Sequence, residues 1–125
     1  MTKEEIKAVE LDTEGLSTYE FIVNHLYELN DDQLNEIIDN LSRIDSTGQY
    51  LASASRYMHA VEAARFAPYT ERMIGLTIDR DREHRYIGEL MTAFYGNDYK
   101  EKAGELSGDN NFRRMYKRLF PEGAL

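Results

Sequence analysis

The sequence predicts an all-α fold: a compact helical bundle of four main helices with one or two short terminal helices, in a single domain over residues 1–125. Three observations predict it. Helix breakers are few, with two prolines in 125 residues, while Leu, Glu, Ala and Arg, all good helix formers, recur throughout. Apolar residues return at i, i+3, i+4 and i+7 in several segments, the spacing of one helical face. At three predicted helix starts, a Thr, Ser or Asn is followed three positions later by Glu or Gln, the pattern with which a helix caps its own first turn.

Thr2 with Glu5 opens a short helix over residues 2–11, and Asp12-Thr13-Glu14-Gly15 reads as a turn. Ser17 with Glu20 opens a second helix, whose apolar face is Tyr19, Ile22, Val23, Leu26 and Leu29. Asn30 with Gln33 opens the third, with Leu34, Ile37, Ile38, Leu41 and Ile44 on one face and Asp31, Asp32, Asn35, Glu36, Asp39 and Asn40 on the other. Asp45-Ser46-Thr47-Gly48 closes it. Gln49 to Ala67 is small or apolar nearly all round, which places it at the centre of the bundle.

Pro68 ends that helix and precedes Tyr69–Tyr95, the longest predicted helix, ~40 Å if continuous. Its ends are apolar and its middle, Asp79 to Arg85, is entirely polar and charged; a break near Asp79, as an N-cap, is the alternative. The β-branched residues in Ile74-Gly75-Leu76-Thr77-Ile78 leave a strand as a second alternative there. Gly96-Asn97-Asp98 is a stop, Tyr99 to Leu106 gives one or two helical turns, and Phe112, Met115, Tyr116, Leu119 and Phe120 form a last amphipathic helix that Pro121 stops.

Charge is uneven. The chain is net −8, but residues 1–47 carry −9 and residues 48–125 carry +1. Such a chain repels nucleic acid as a whole and suits a basic partner surface. With no Cys, disulfides, a thiolate nucleophile and Cys-ligated metals are excluded. No signal peptide and no membrane span is legible, so a cytoplasmic location is expected. The motifs of serine hydrolases, P-loops and dinucleotide folds are absent, as are the paired Glu-x-x-Glu clusters that a helical nucleotide hydrolase needs for magnesium.

Several constellations remain. Asp81, Arg85 and Glu89 would form an acid–base–acid ladder on a continuous helix. Arg80, His84 and Arg85 would then face a groove able to hold an anion or a partner's carboxylates, since a guanidinium binds such groups through two parallel hydrogen bonds. Each histidine has a carboxylate three residues away (His25 with Glu28, His59 with Glu62, His84 with Asp81), a spacing that on helices could gather a transition metal. The residue order mostly reverses that of di-iron bundles, so no metal ligand and no cofactor is expected. Tyr50, Tyr57 and Tyr69 lie near Arg56, Arg65 and Arg72, a mixture common in binding hot spots. Arg113, Arg114, Lys117 and Arg118 form a compact basic patch, fitted more to intramolecular or protein contact than to nucleic acid.

The function expected from these features is a small acidic, non-enzymatic module that docks on and modulates, or inhibits, a larger protein, of the kind phages and mobile elements make. Its expected surfaces are Asp32, Glu36 and Asp39 on the third helix, and Arg80, His84 and Arg85. The alternatives are a binder of a nucleotide-like anion through Tyr57, Arg80, His84 and Arg85, and a metal-dependent bundle enzyme using the His–acid pairs. A homodimer through a Leu76–Leu90 seam is a further expectation.

Overall fold

A computed structural model describes residues 1–123. The described residues form α1 (Lys3–Glu10), α2 (Leu16–His25), α3 (Asp31–Ile44), α4 (Gln49–Arg80), α5 (Ile87–Tyr95), α6 (Ala103–Leu106) and α7 (Asn110–Leu119), with a 3-10 turn at Leu26–Glu28 and no strand. The all-α architecture is as the sequence predicts. Residues 74–78 are helical, with Ile74 and Ile78 buried, so the β-branched run is overridden by packing.

Two of the three predicted capping boxes form. In α1 the Thr2 hydroxyl accepts from the Glu5 N–H at 3.1 Å and the Glu5 carboxylate accepts from the Thr2 N–H at 2.9 Å. In α3 the Asn30–Gln33 pair does the same at 2.8 and 3.0 Å. The Ser17–Glu20 box does not form. Helix α2 starts at Leu16, and Asp12 caps it from four residues upstream. One Asp12 oxygen accepts from the Glu14 and Gly15 N–H groups, the other from both the N–H and the hydroxyl of Thr18 at 2.8 and 2.7 Å. A carboxylate reaching four donors displaces a serine that can satisfy one.

Helix α4 is a hairpin. At Glu62 the backbone leaves the helical region (φ −160°, ψ 84°). Gly48, just before the helix, lies against Thr77, near its end: a Cβ at Gly48 would sit 3.3 Å from the Thr77 Cα. A straight helix would hold those positions ~40 Å apart. The limbs 49–61 and 63–80 therefore run antiparallel, with Glu62 at the tip. Ala52, Ser55, Thr70 and Thr77 are buried along them, and small residues permit this close approach. The buried hydroxyls are satisfied within their own limbs, Ser55 donating to the Leu51 carbonyl and Thr77 to the Met73 carbonyl at 2.8 Å, Thr70 to Ala67 at 3.2 Å.

This corrects two predicted boundaries. The Gln49–Ala67 helix turns at Glu62 rather than stopping at Pro68, which lies inside the second limb. The N–H that Pro68 lacks would have bonded the Ala64 carbonyl, and Ala64 lies on the exposed tip, open to solvent. Residues 51–58 are central as expected, whereas Ala60, Val61, Ala63 and Ala64 are exposed. The Tyr69–Tyr95 stretch takes the second of its two readings, a break near Asp79, with Asp81 rather than Asp79 as the cap: the second limb ends at Arg80, a loop follows, and α5 starts at Ile87.

The hairpin separates two apolar clusters. Val9, Phe21, Ile22, Leu26, Leu34, Ile38 and Leu41 from α1 to α3 close against Leu51, Met58, Phe66 and Met73 of α4. Ala52, Ile74 and Ile78 of α4 meet Ile87, Leu90 and Met91 of α5 and Phe112 and Met115 of α7. Leu76 packs on the first cluster and Leu90 is fully buried in the second, so the expected Leu76–Leu90 dimer seam is already occupied within the chain. Among the described residues no helix is long and apolar enough to cross a membrane.

Spin labels at the exposed Gln49 and Asp79 test the hairpin directly. Antiparallel limbs packed ~10 Å apart predict a label separation below ~25 Å by electron–electron resonance, whereas a straight helix predicts ~45 Å.

Candidate functional site

The turns at either end of the hairpin are built alike. Asp45 is buried; one oxygen accepts from the Gly48 N–H at 3.2 Å, the other from the Tyr50 and Leu51 N–H groups at 2.9 and 2.8 Å. Asp81 is also buried; it accepts from the Arg85, Tyr86 and Ile87 N–H groups at 2.8, 2.7 and 3.0 Å. Each carboxylate caps the helix that follows it, α4 and α5 respectively, and meets the positive end of its dipole. Arg80 ties the turns together, its Nη1 donating to the Asp45 carbonyl at 2.9 Å.

Between them lies an open groove of about 440 Å³, lined by Ser46, Thr47, Asp79, Arg80, Asp81, Arg82, Glu83, Arg85 and Tyr86. Most of its charged side chains are engaged, Arg82 excepted. Arg85 pairs with Glu83, Asp79 pairs with Arg114 of α7, and Arg80 is engaged by the Asp45 carbonyl. His84 sits exposed in the loop with φ +56°, the left-handed region. The predicted Asp81–Arg85–Glu89 ladder does not form. The chain leaves the helix at Asp81, Asp81 turns inward as a cap, and Glu89 pairs instead with Arg56 of α4 at 2.7 Å.

Tyr57 is not brought to Arg80, His84 and Arg85. It lines a separate groove of about 480 Å³ with Tyr19, Arg56 and His59, and its hydroxyl donates to the Val23 carbonyl at 3.2 Å. The four-residue anion site expected from sequence is thus divided, because α4 folds back at Glu62 and breaks at Asp81.

The three His–acid pairs do not converge either. His25 meets Glu28 and, from α1, Glu5. His59 stacks on Phe94 at 4.0 Å between ring centres, while Glu62 accepts from the Tyr27 hydroxyl. Asp81 is occupied as a cap, away from the His84 pairing expected on a helix. Among the described residues no group of three or more His, Asp or Glu side chains is placed to hold a metal ion.

The α3 face is different in kind. Leu34, Ile38 and Leu41 anchor the helix in the first core, and Asp31, Asp32, Asn35, Glu36 and Asp39 all stand exposed on its outer side. Asp39 pairs with Arg72 of the second α4 limb. Asp31 accepts from the Tyr69 hydroxyl at 2.6 Å, and that hydrogen bond raises the Tyr69 pKa. Asp32 and Glu36 enter no ion pair among the described residues.

The basic patch of α7 stays at the surface, but three of its four side chains are engaged within the chain. Arg114 pairs with Asp79 and Arg118 donates to the Ile78 carbonyl at 3.1 Å, so both close the end of α4; Arg113 donates to the Ser107 carbonyl at 3.0 Å. Tyr95 donates to Asp109 at 3.1 Å, and burial together with Asp109 pushes its phenol up.

The two buried aspartates were not singled out from the sequence as a pair, although a signal exists. Asp45-Ser-Thr-Gly-Gln-Tyr50-Leu51 and Asp81-Arg-Glu-His-Arg-Tyr86-Ile87 share an Asp followed at the fifth and sixth positions by Tyr and an aliphatic residue, whose N–H groups the carboxylate accepts. The chain matches no known protein family, no curated protein and no solved structure.

Asp81→Ala leaves three N–H groups near the core without their acceptor and is expected to lower stability by about 2–4 kcal/mol in denaturant unfolding, with Asp81→Asn less severe because its amide oxygen still accepts. Glu83→Ala in the same loop, which removes only an exposed ion pair, is expected to stay within about 0.5 kcal/mol of the parent.

Proposed function

We propose that this protein is a non-enzymatic module that docks on a larger protein through the acidic outer face of α3 and modulates it. The observation that carries this is the placement of Asp32 and Glu36: exposed, unpaired among the described residues, and held on a helix that Leu34, Ile38 and Leu41 anchor in the core. A rigid row of carboxylates loses little freedom on binding, so its charge is available for docking rather than consumed in ordering the helix. The partner it fits carries a basic surface, and nucleic acid is disfavoured by the same charge. The size and acidity of the chain are those of inhibitors that phages and mobile elements make.

The nucleotide-like anion alternative finds less support. The groove beside Asp45 and Asp81 has as many acids as bases, so it carries no excess of positive charge for an anion, and two of its three arginines are engaged, Arg85 by Glu83 and Arg80 by the Asp45 carbonyl. Tyr57 belongs to another groove.

Replacing Asp32 and Glu36 together by Lys tests the proposal while leaving the Asp39–Arg72 pair in place. The double variant should melt close to the parent, because both sites are exposed, and lose partner affinity by about 100-fold or more through like-charge repulsion. Parent binding should weaken as salt is raised. Unchanged affinity in the double variant removes this face from the interface.

A further inference from the structure

We propose that His25 is a pH-sensitive clasp that holds α1 on the bundle while its ring carries both protons and releases it as one is lost. His25 ends α2. Its Nε2 meets the Glu5 carboxylate of α1, and its Nδ1 lies 3.1 Å from the Glu28 carboxylate of the following 3-10 turn. A neutral imidazole has a single N–H and can donate to only one of them. Both contacts therefore require the imidazolium, and the C-terminal end of α2 favours that charge. The His25 side chain is 11% exposed and that of Glu5 34%, so the pair is partly shielded from solvent.

Little else secures the start of α1. Val9 is its only buried residue, and it lies near the opposite end; the Val9 carbonyl accepts a long 3.4 Å bond from Asn40. Ile6 is 44% exposed. Beyond Val9 the chain is fixed again by Asp12, whose carboxylate caps α2. The clasp thus closes a helix hinged at the Asp12 turn. The charged groups facing His25 are Glu5 from α1 and Glu28 from the turn, with Glu20 of α2 lining the adjoining cleft beside Glu5 and Phe21. Toward α3 and α4, helix α2 presents the buried apolar Ile22 and Leu26.

The titration follows the geometry. The Glu5 hydrogen bond raises the His25 pKa, burial works against it, and Glu28 adds to the rise. The His25 bond in turn holds the Glu5 carboxyl at about 2. A raised histidine pKa contributes stability fully below its ordinary value of 6.5 and loses it as pH rises through the folded value. Glu5, lowered, contributes above its ordinary 4.5 and loses this as pH falls toward about 2. Both halves are closed together between 4.5 and 6.5, and the clasp opens on the alkaline side. Opening bares Phe21, which lines the cleft under α1.

Nuclear magnetic resonance of the full chain tests this with three readouts: the His25 ring nitrogens, the His25 titration, and α1 amide exchange corrected for intrinsic base catalysis. The expected result is a His25 pKa above 6.5 and α1 protection that falls as pH passes through it, by about tenfold for each unit of the rise. His25→Gln should abolish that pH dependence while α3 and α4 amides stay protected. Should that variant not fold, Glu5→Gln keeps the ring and must move both the titration and the loosening of α1 to lower pH. Protection of α1 that stays flat through the His25 titration, or a His25 that titrates at or below its ordinary value, overturns the proposal.

Discussion

The fold depends on two buried carboxylates. Asp45 and Asp81 stand at the two ends of the α4 hairpin, and each supplies acceptors for three N–H groups that the start of the next segment leaves without partners. Their placement sets the directions of α3, α4 and α5 relative to one another. Arg80 then crosses from one turn to the other. With both turns fixed, the limbs of α4 are brought side by side, and the close contact of Gly48 with Thr77 becomes possible. The two apolar clusters form on either side of this hairpin.

Much of the fold is legible in the sequence where periodicity and local caps speak together. Helix α3 is the clearest case: the Asn30–Gln33 box, the apolar stripe and the stop at Asp45 all appear as read. What is not legible is where non-local contacts decide. Pro68 reads as a terminator because a proline removes a helical hydrogen bond, yet the chain turns at Glu62, an ordinary helix former, since the antiparallel fit of the limbs determines the tip. Likewise the sequence leaves the Tyr69–Tyr95 stretch open between one helix with a solvated middle and a break near Asp79. Only burial of Asp81 converts it into a cap and a loop.

The candidate site shows the same division. The acidic row of α3 follows from helical spacing alone and is found intact, with Asp39 additionally paired to Arg72 of α4. The proposed Tyr57, Arg80, His84 and Arg85 set assumed two continuous helices and is dispersed by the hairpin. Most arginines that looked available from sequence serve the fold: Arg80, Arg114 and Arg118 close turns and helix ends, and Arg56 and Arg72 bridge helices. The acids of α3 have fewer such duties. Several arginines of the near-neutral rear half thus serve the fold, while Asp32 and Glu36 of the acidic front face outward, and this gives the surface its character.

The most direct test of the proposed docking function is native mass spectrometry of the protein purified from its own host without added ligand. The account predicts the chain in stoichiometric complex with one larger protein, separating as salt is raised. A chain that carries no protein partner and instead retains a nucleotide or a metal ion would contradict it.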